Sequence, residues 1–121
     1  MWIAMNDSFV SIVDNGQGPE GTLTVRARAK SDLVALGFMP IETPSRDYPF
    51  RAFVPRERVA KIIADRLSSI NYGNFKGSVG DRDRHDAYYD IWSAMFRFGK
   101  VKGFKNARPK RQPGQGRIHW K

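Results

Sequence analysis

Every one of the twelve carboxylates lies within residues 1–98, while eight of the 21 Lys and Arg residues crowd into the 23 positions from Gly99 to Lys121. Residues 1–98 are therefore close to neutral, and the segment after them is cationic throughout. Such a segment has little to build a core with. It holds four glycines and two prolines, and its apolar residues follow neither a helical nor a strand period. The fold has to come from residues 1–98, with residues 99–121 expected as a flexible, disordered basic tail. The net charge of +9 describes that tail more than the fold.

Length and composition narrow the class further. A chain of 121 residues is one domain's worth, so residues 1–98 are expected to form a single globular domain. Apolar residues at 40%, with eight Phe, four Tyr and three Trp, exclude a wholly disordered chain. No apolar run approaches the length of a membrane span, and no membrane partner is expected. The opening MWIAMNDSFV lacks a basic start and a long apolar stretch, which predicts no secretory leader. The absence of cysteine excludes a disulfide scaffold, a thiol nucleophile and cysteine-bound metals, and it fits a reducing, cytoplasmic setting.

Apolar periodicity divides the domain into elements. Ser8 to Val13 reads as a strand, with a shorter one over Trp2 to Met5. Three glycines and a proline between Asp14 and Gly21 mark a loop. Leu23, Val25 and Ala27 then alternate with Thr24, Arg26 and Arg28, the pattern of a half-buried strand. The two strands make an antiparallel hairpin. Ser31 is expected to cap a short helix from Asp32 to Leu36 that Gly37 ends. Ile41 to Thr43 reads as an edge strand between prolines. Tyr48, Phe50, Ala52 and Val54 share one face of a further strand; Pro49, Arg51 and Phe53 share the other.

Pro55 suits a helix start. Val59, Ile62, Ile63, Leu67 and Ile70 give the apolar stripe of a helix over Arg56 to Ser69. Asn71 to Gly80 reads as a loop. A last helix is expected from Asp81 to Phe98, with Tyr88, Ile91, Trp92, Met95 and Phe96 as its stripe. The order β-β-α-β-β-α-α predicts a two-layer α+β domain, an antiparallel sheet with helices on one face, in a ferredoxin-like or split arrangement.

Several stretches carry a resemblance: Ser11-Ile12-Val13, Val25 to Arg28 followed by Ser31-Asp32-Leu33, Asp47 to Ala52, and Ile70 to Lys76, with Val79, Tyr88 and Trp92 after them. Over about residues 2–98 the chain resembles a family of small uncharacterised bacterial proteins. The Asn71 to Lys76 stretch is its most specific part. The resemblance implies no activity, cofactor or site residue. Members of that family usually stop near the last helix, so the basic tail is a departure, one that suggests a version carried by a phage or mobile element.

Four groups of residues could carry chemistry. The first is the tail: Lys100, Lys102, Lys105, Arg108, Lys110, Arg111 and Arg117, with Trp120 and Phe104 interleaved. Cations neutralise phosphates and rings stack on unpaired bases, so this pattern suits a nucleic acid; a solvated terminus has the same composition. The second is the sheet face opposite the helices, where Arg26, Arg28, Arg51 and Phe53 would point outward. That follows the logic of RNA-binding sheets, without their aromatic signature. The same arginines could instead pair with Asp32 and Asp47. The third is Asn71 to Lys76, where Tyr72 and Phe75 either read a ligand or tuck into the core, with Gly73 or Asn74 at positive φ.

The fourth is Asp81, Asp83, His85, Asp86 and Asp90. These side chains could hold a divalent metal for nuclease chemistry, but Arg82 and Arg84 sit among them, and acids are expected at a helix start anyway. No phosphate loop, nucleophile elbow or zinc helix motif is present. The expectation is a non-enzymatic protein without cofactor or metal that binds nucleic acid, RNA or single strands in preference to a duplex site. The alternative is an anti-defence inhibitor of phage type, acting by binding a protein or ribonucleoprotein. A metal-dependent nuclease is the third class.

Overall fold

Alternation in residues 22–27 sets the architecture. Leu23, Val25 and Ala27 of β3 (Thr22–Ala27) stand opposite Val54, Ala52 and Phe50 of β5 (Phe50–Pro55), so two apolar rows meet on one face. The chain is seen here in a computed structural model, which describes residues 1–103. It forms two compact units, Met1–Gly73 and a second beginning at Asn74.

The first unit is a five-stranded antiparallel sheet with two helices. Its strands are β1 (Trp2–Ala4), β2 (Phe9–Val13), β3, β4 (Ile41–Glu42) and β5, in the order β1-β2-β3-β5-β4. Helices α1 (Lys30–Val34) and α2 (Arg56–Ser68) pack against the central strands. Val10, Ile12, Val25, Ala27, Ala52 and Val54 of the sheet bury against Leu33, Leu36, Phe38 and Val59. This is the α+β class read from the sequence. Within that class the connectivity is not the βαββαβ order of a ferredoxin-like fold: β1, β2 and β3 form a three-strand antiparallel meander with no helix between its strands.

Local chemistry explains several element ends. Gly37 takes φ 78°, and the Gly37 and Phe38 amides donate back to Val34 and Leu33, a Schellman closure. Pro55 immediately precedes α2, where its missing amide costs nothing. Helix α1 begins at Lys30, so Ser31 lies inside it and caps nothing. Asp32 is buried, and its carboxylate accepts the Phe9 amide at 3.0 Å. It anchors β2 and also lies in the first turn of α1, as expected of an acid at a helix start. The stripe of α2 is shorter than expected: Val59, Ile62 and Ile63 join the core, whereas Leu67 and Ile70 are exposed. Arg66 takes the inward place there and reaches Asp7 and the Ala35 carbonyl.

In the second unit, residues 75–78 form one helical turn, α3 (Phe75–Ser78), within the expected loop. Phe75 stacks on the buried Tyr88, with ring centres 5.7 Å apart. Gly73 and Asn74 do not adopt positive φ. Helix α4 spans Arg82–Gly103. Asp81 caps it, accepting the Arg84 amide at 2.8 Å. The expected end at Phe98 is passed by five residues, so Gly99 to Gly103 are helical rather than part of a flexible tail. Lys100 and Lys102 in the last turn suit the negative end of the helix dipole. Residues 104–121, and with them Phe104, Lys105, Arg108, Lys110, Arg111, Arg117 and Trp120, lie outside the described residues.

Candidate nucleic-acid interface

One line of residues crosses the sheet on the face away from the core: Trp2, Ser11, Arg26, Arg51 and Ile41, each the register partner of the next. The next line on the same face runs Val13, Thr24, Phe53. Arg26 and Arg51 share the outward face that the sequence pattern expected, and the register sets them directly opposite one another. Like charges facing across strands repel.

This face is not open. The β2–β3 connection, residues 14–21, folds back over it. Thr24 donates to Asn15 Oδ1 at 2.8 Å, and Arg51 Nη1 donates to Gln17 Oε1 at 2.8 Å. Gly18 lies against the Phe53 ring so closely that a Cβ there would come within 2.6 Å of it. Ser11, Thr24 and Arg51 are buried, Arg51 with 5% of its surface exposed. The expectation that Arg51 and Phe53 stand open to ligand is corrected: the strand places them outward, and the loop closes over them.

Tyr48 organises the rim. Parity along its strand placed it with Phe50, Ala52 and Val54 on the core face, but β5 begins only at Phe50. Tyr48 is buried with its ring beneath two guanidinium groups, 4.6 Å from Arg26 and 4.4 Å from Arg28. Arg28 is exposed and donates to the Asp47 carbonyl at 2.8 Å. Arg26 donates to the Ser11 hydroxyl at 2.6 Å. Among the described residues, none of Arg26, Arg28 and Arg51 has a carboxylate oxygen within 4.0 Å as an ion-pair partner. The anticipated pairings with Asp32 and Asp47 are absent because Asp32 serves Phe9, and the Asp47 carboxylate accepts the Tyr48 amide at 3.0 Å. Burial lowers the pKa of Arg51, Arg46 and Arg26 lower it further by repulsion, and Asp47 only partly opposes them.

A second cationic region lies on α4. Arg97, Lys100 and Lys102 are exposed there, beyond the last acid at Asp90. The Lys100 ammonium sits 5.1 Å from the Phe96 ring centre and Lys102 5.9 Å from that of Phe98. Trp92 and Phe96 stack at 5.2 Å. Among the described residues no group of three His, Asp or Glu is placed to hold a metal ion, and His85 meets Asp86 at 3.9 Å. No described helix is long and apolar enough to cross a membrane.

One residue escaped the sequence reading. Trp2 is 74% exposed, on the same line as Arg26 and 6.3 Å from the Phe9 ring. Its signal was the short strand over Trp2 to Met5, which the reading used for fold alone. No protein-family description matches the chain, and no curated protein or solved structure is significantly similar to it.

Proposed function

We propose that the chain binds nucleic acid without transforming it, favouring RNA or single strands. The observation that carries this reading is the run beyond Asp90, which has nine Lys and Arg and no carboxylate, and which starts as an ordered helix with ammonium groups beside exposed rings. Phosphates are captured by Lys100, Lys102 and the cations that follow, releasing counterions. Rings along the same stretch favour unpaired bases, whose faces are free to stack. On the sheet unit, exposed Arg28 and Trp2 are the groups that can meet a strand first; Arg26 is half-buried beside Tyr48, and Arg51 and Phe53 lie under the loop.

Fluorescence anisotropy of short RNA and DNA, single- and double-stranded, at several salt concentrations tests the reading. Affinity should fall as salt rises, with a log–log slope of about 0.7 per phosphate neutralised on a single strand. Lys110→Glu with Arg111→Glu should weaken binding and flatten that slope. Binding weaker than micromolar to every probe, unchanged by the variant, would remove the reading.

A second reading has its own observation. Ile91, Met95 and Phe98, at four- and three-residue steps on α4, are exposed apolar side chains. An exposed apolar row of this kind suits a protein partner, which is what an inhibitor of a nucleic-acid machine would need. Stoichiometric co-purification with one protein, surviving nuclease treatment and lost in Met95→Asp, would favour it.

A further inference from the structure

Arg51 is a buried cation with no carboxylate within ion-pair distance among the described residues. It faces Arg26 across β3 and β5, and its guanidinium hydrogen bond goes to a neutral amide, Gln17, at 2.8 Å. The Nε atoms of both Arg26 and Arg51 are buried and have no hydrogen-bond partner. A buried charge is ordinarily paired, and a buried donor is ordinarily satisfied. Arg51 breaks both expectations here, and the half-buried Arg26 beside it breaks the second. The acceptors that do serve the cluster, Gln17 and Ser11, are neutral. Gln17 stands in the β2–β3 connection between two glycines in the left-handed region, Gly16 at φ 71° and Gly21 at φ 83°.

We propose that Arg26 and Arg51, with Arg28 at the rim, form a site for one phosphate dianion, free or as a terminal phosphomonoester, and that Gln17 holds the anion's place until it binds. Charge selects the ligand class. A phosphomonoester carries close to two negative charges at neutral pH, which matches two facing guanidinium groups. A carboxylate or a backbone phosphodiester carries one and leaves a buried charge uncompensated. Shape agrees with charge: a guanidinium fork binds phosphate through two parallel N–H donors, and each arginine keeps its Nε–H uncommitted. Entry requires residues 14–21 to lift, breaking the Gln17–Arg51 bond and uncovering Phe53. This site does not rest on the nucleic-acid reading, which is carried by the cations of α4 and beyond and shares only Arg28 with it.

The experiment is a titration of the full chain followed through its arginine Nε–Hε NMR signals, with Arg26→Lys and Arg51→Lys identifying the two that matter. Ionic strength is held constant with chloride. Inorganic phosphate should shift both signals saturably, and Gln17→Ala should tighten that binding several-fold by removing the competitor. Two RNA oligonucleotides, alike except for a 5′-phosphate or a 5′-hydroxyl, separate the sources. A shift with the 5′-phosphate form alone assigns the site to a nucleic-acid end; a shift with inorganic phosphate and neither RNA assigns it to free phosphate. Signals unmoved by millimolar phosphate, or moved equally by both RNAs, would overturn the proposal. So would unchanged phosphate affinity in Gln17→Ala, a variant on an exposed loop residue that leaves the core intact. Loss of this response with salt-dependent RNA binding intact would leave the nucleic-acid reading standing, and the reverse result would leave only the phosphate site.

Discussion

Arg51 and Lys100 are both cations without a carboxylate beside them, yet they sit in opposite environments. Arg51 is enclosed by a loop on a sheet packed over its own core, next to a second arginine. Lys100 stands exposed on a helix, with its ammonium beside the Phe96 ring. Water solvates the lysine at almost no cost, so its charge is available to any passing polyanion and is weakened by salt. Arg51 has lost most of that solvation, so an anion reaching it would be bound by geometry as well as charge. On the readings proposed above, the same formal charge would serve diffuse capture in one region and a selective site in the other.

The contrast in burial between the two regions predicts unequal tolerance to truncation, and this is the largest effect expected. Leu33 has no exposed surface and joins α1 to the sheet core. Leu33→Ala should cost about 2–5 kcal/mol by chemical denaturation, the range for emptying a buried leucine site. Met95 on α4 is exposed, and Met95→Ala should change stability by about 0.5 kcal/mol or less. A loss above about 1 kcal/mol at Met95 would mean that its face is covered in solution.

What could be read from the chain follows the same division. The core face of the sheet was legible because period-two alternation in Leu23-Val25-Ala27 and Phe50-Ala52-Val54 is a local signal with one buried solution. Gly37 and Pro55 were legible because each has a backbone preference that marks an element end. The covered face was not. Asn15 and Gln17 reach Thr24 and Arg51 from a loop with no period, and no local pattern announces a hydrogen bond between residues 34 positions apart. Parity failed at Tyr48 because the strand starts two residues later, which frees the ring to turn toward Arg26 and Arg28. The end of α4 was misplaced because a glycine and a charge switch were read as a boundary. Cations in a last turn in fact favour the helix.

The loop over Arg51 can be tested through its tightest contact. Gly18 does not have positive φ, so an alanine there meets no backbone penalty. Its Cβ would stand 2.6 Å from Phe53 Cδ1 and 2.8 Å from Thr22 Oγ1. Gly18→Ala should therefore lower stability by about 1–3 kcal/mol and speed amide exchange in residues 15–21. Gly16→Ala meets no neighbour but must hold φ near 71°, so its smaller loss would come from the backbone alone. Unchanged exchange in Gly18→Ala would show that the loop does not rest on Phe53.

On the binding side, the two regions should respond to different changes. Lys100→Glu with Lys102→Glu should flatten the salt dependence of RNA affinity by about 1.4 in log–log slope, two phosphates' worth. Trp2→Ala should cost about 1–3 kcal/mol of single-strand affinity and leave the slope alone, because stacking is not a counterion effect. Equal slopes in wild type and the lysine variant would separate α4 from the capture surface. No loss in Trp2→Ala would confine binding to the cationic region.

The smallest effect belongs to an ion pair that ties the β1–β2 turn to α2, and it sets a limit on how much surface charge holds the sheet unit together. Arg66 Nη1 meets Asp7 Oδ1, with both side chains partly exposed, and the Ser8 hydroxyl donates to the same oxygen at 3.2 Å. Burial pushes the Asp7 carboxyl upward. The Arg66 hydrogen bond and charge, aided by Ser8, outweigh it and hold the pKa below its ordinary 3.8. A carboxyl whose folded pKa is depressed stabilises the fold above its unfolded value, and that contribution is lost as pH falls through the folded value. Asp7→Asn should therefore cost less than about 1 kcal/mol near neutral pH, as expected for a solvent-screened pair. Wild type and variant should converge as pH falls through the depressed folded pKa of Asp7, where that carboxyl is itself protonated. Denaturation midpoints across that range check the sign. A gap between the two proteins that widens toward acid would mean that burial, not Arg66, governs this carboxyl.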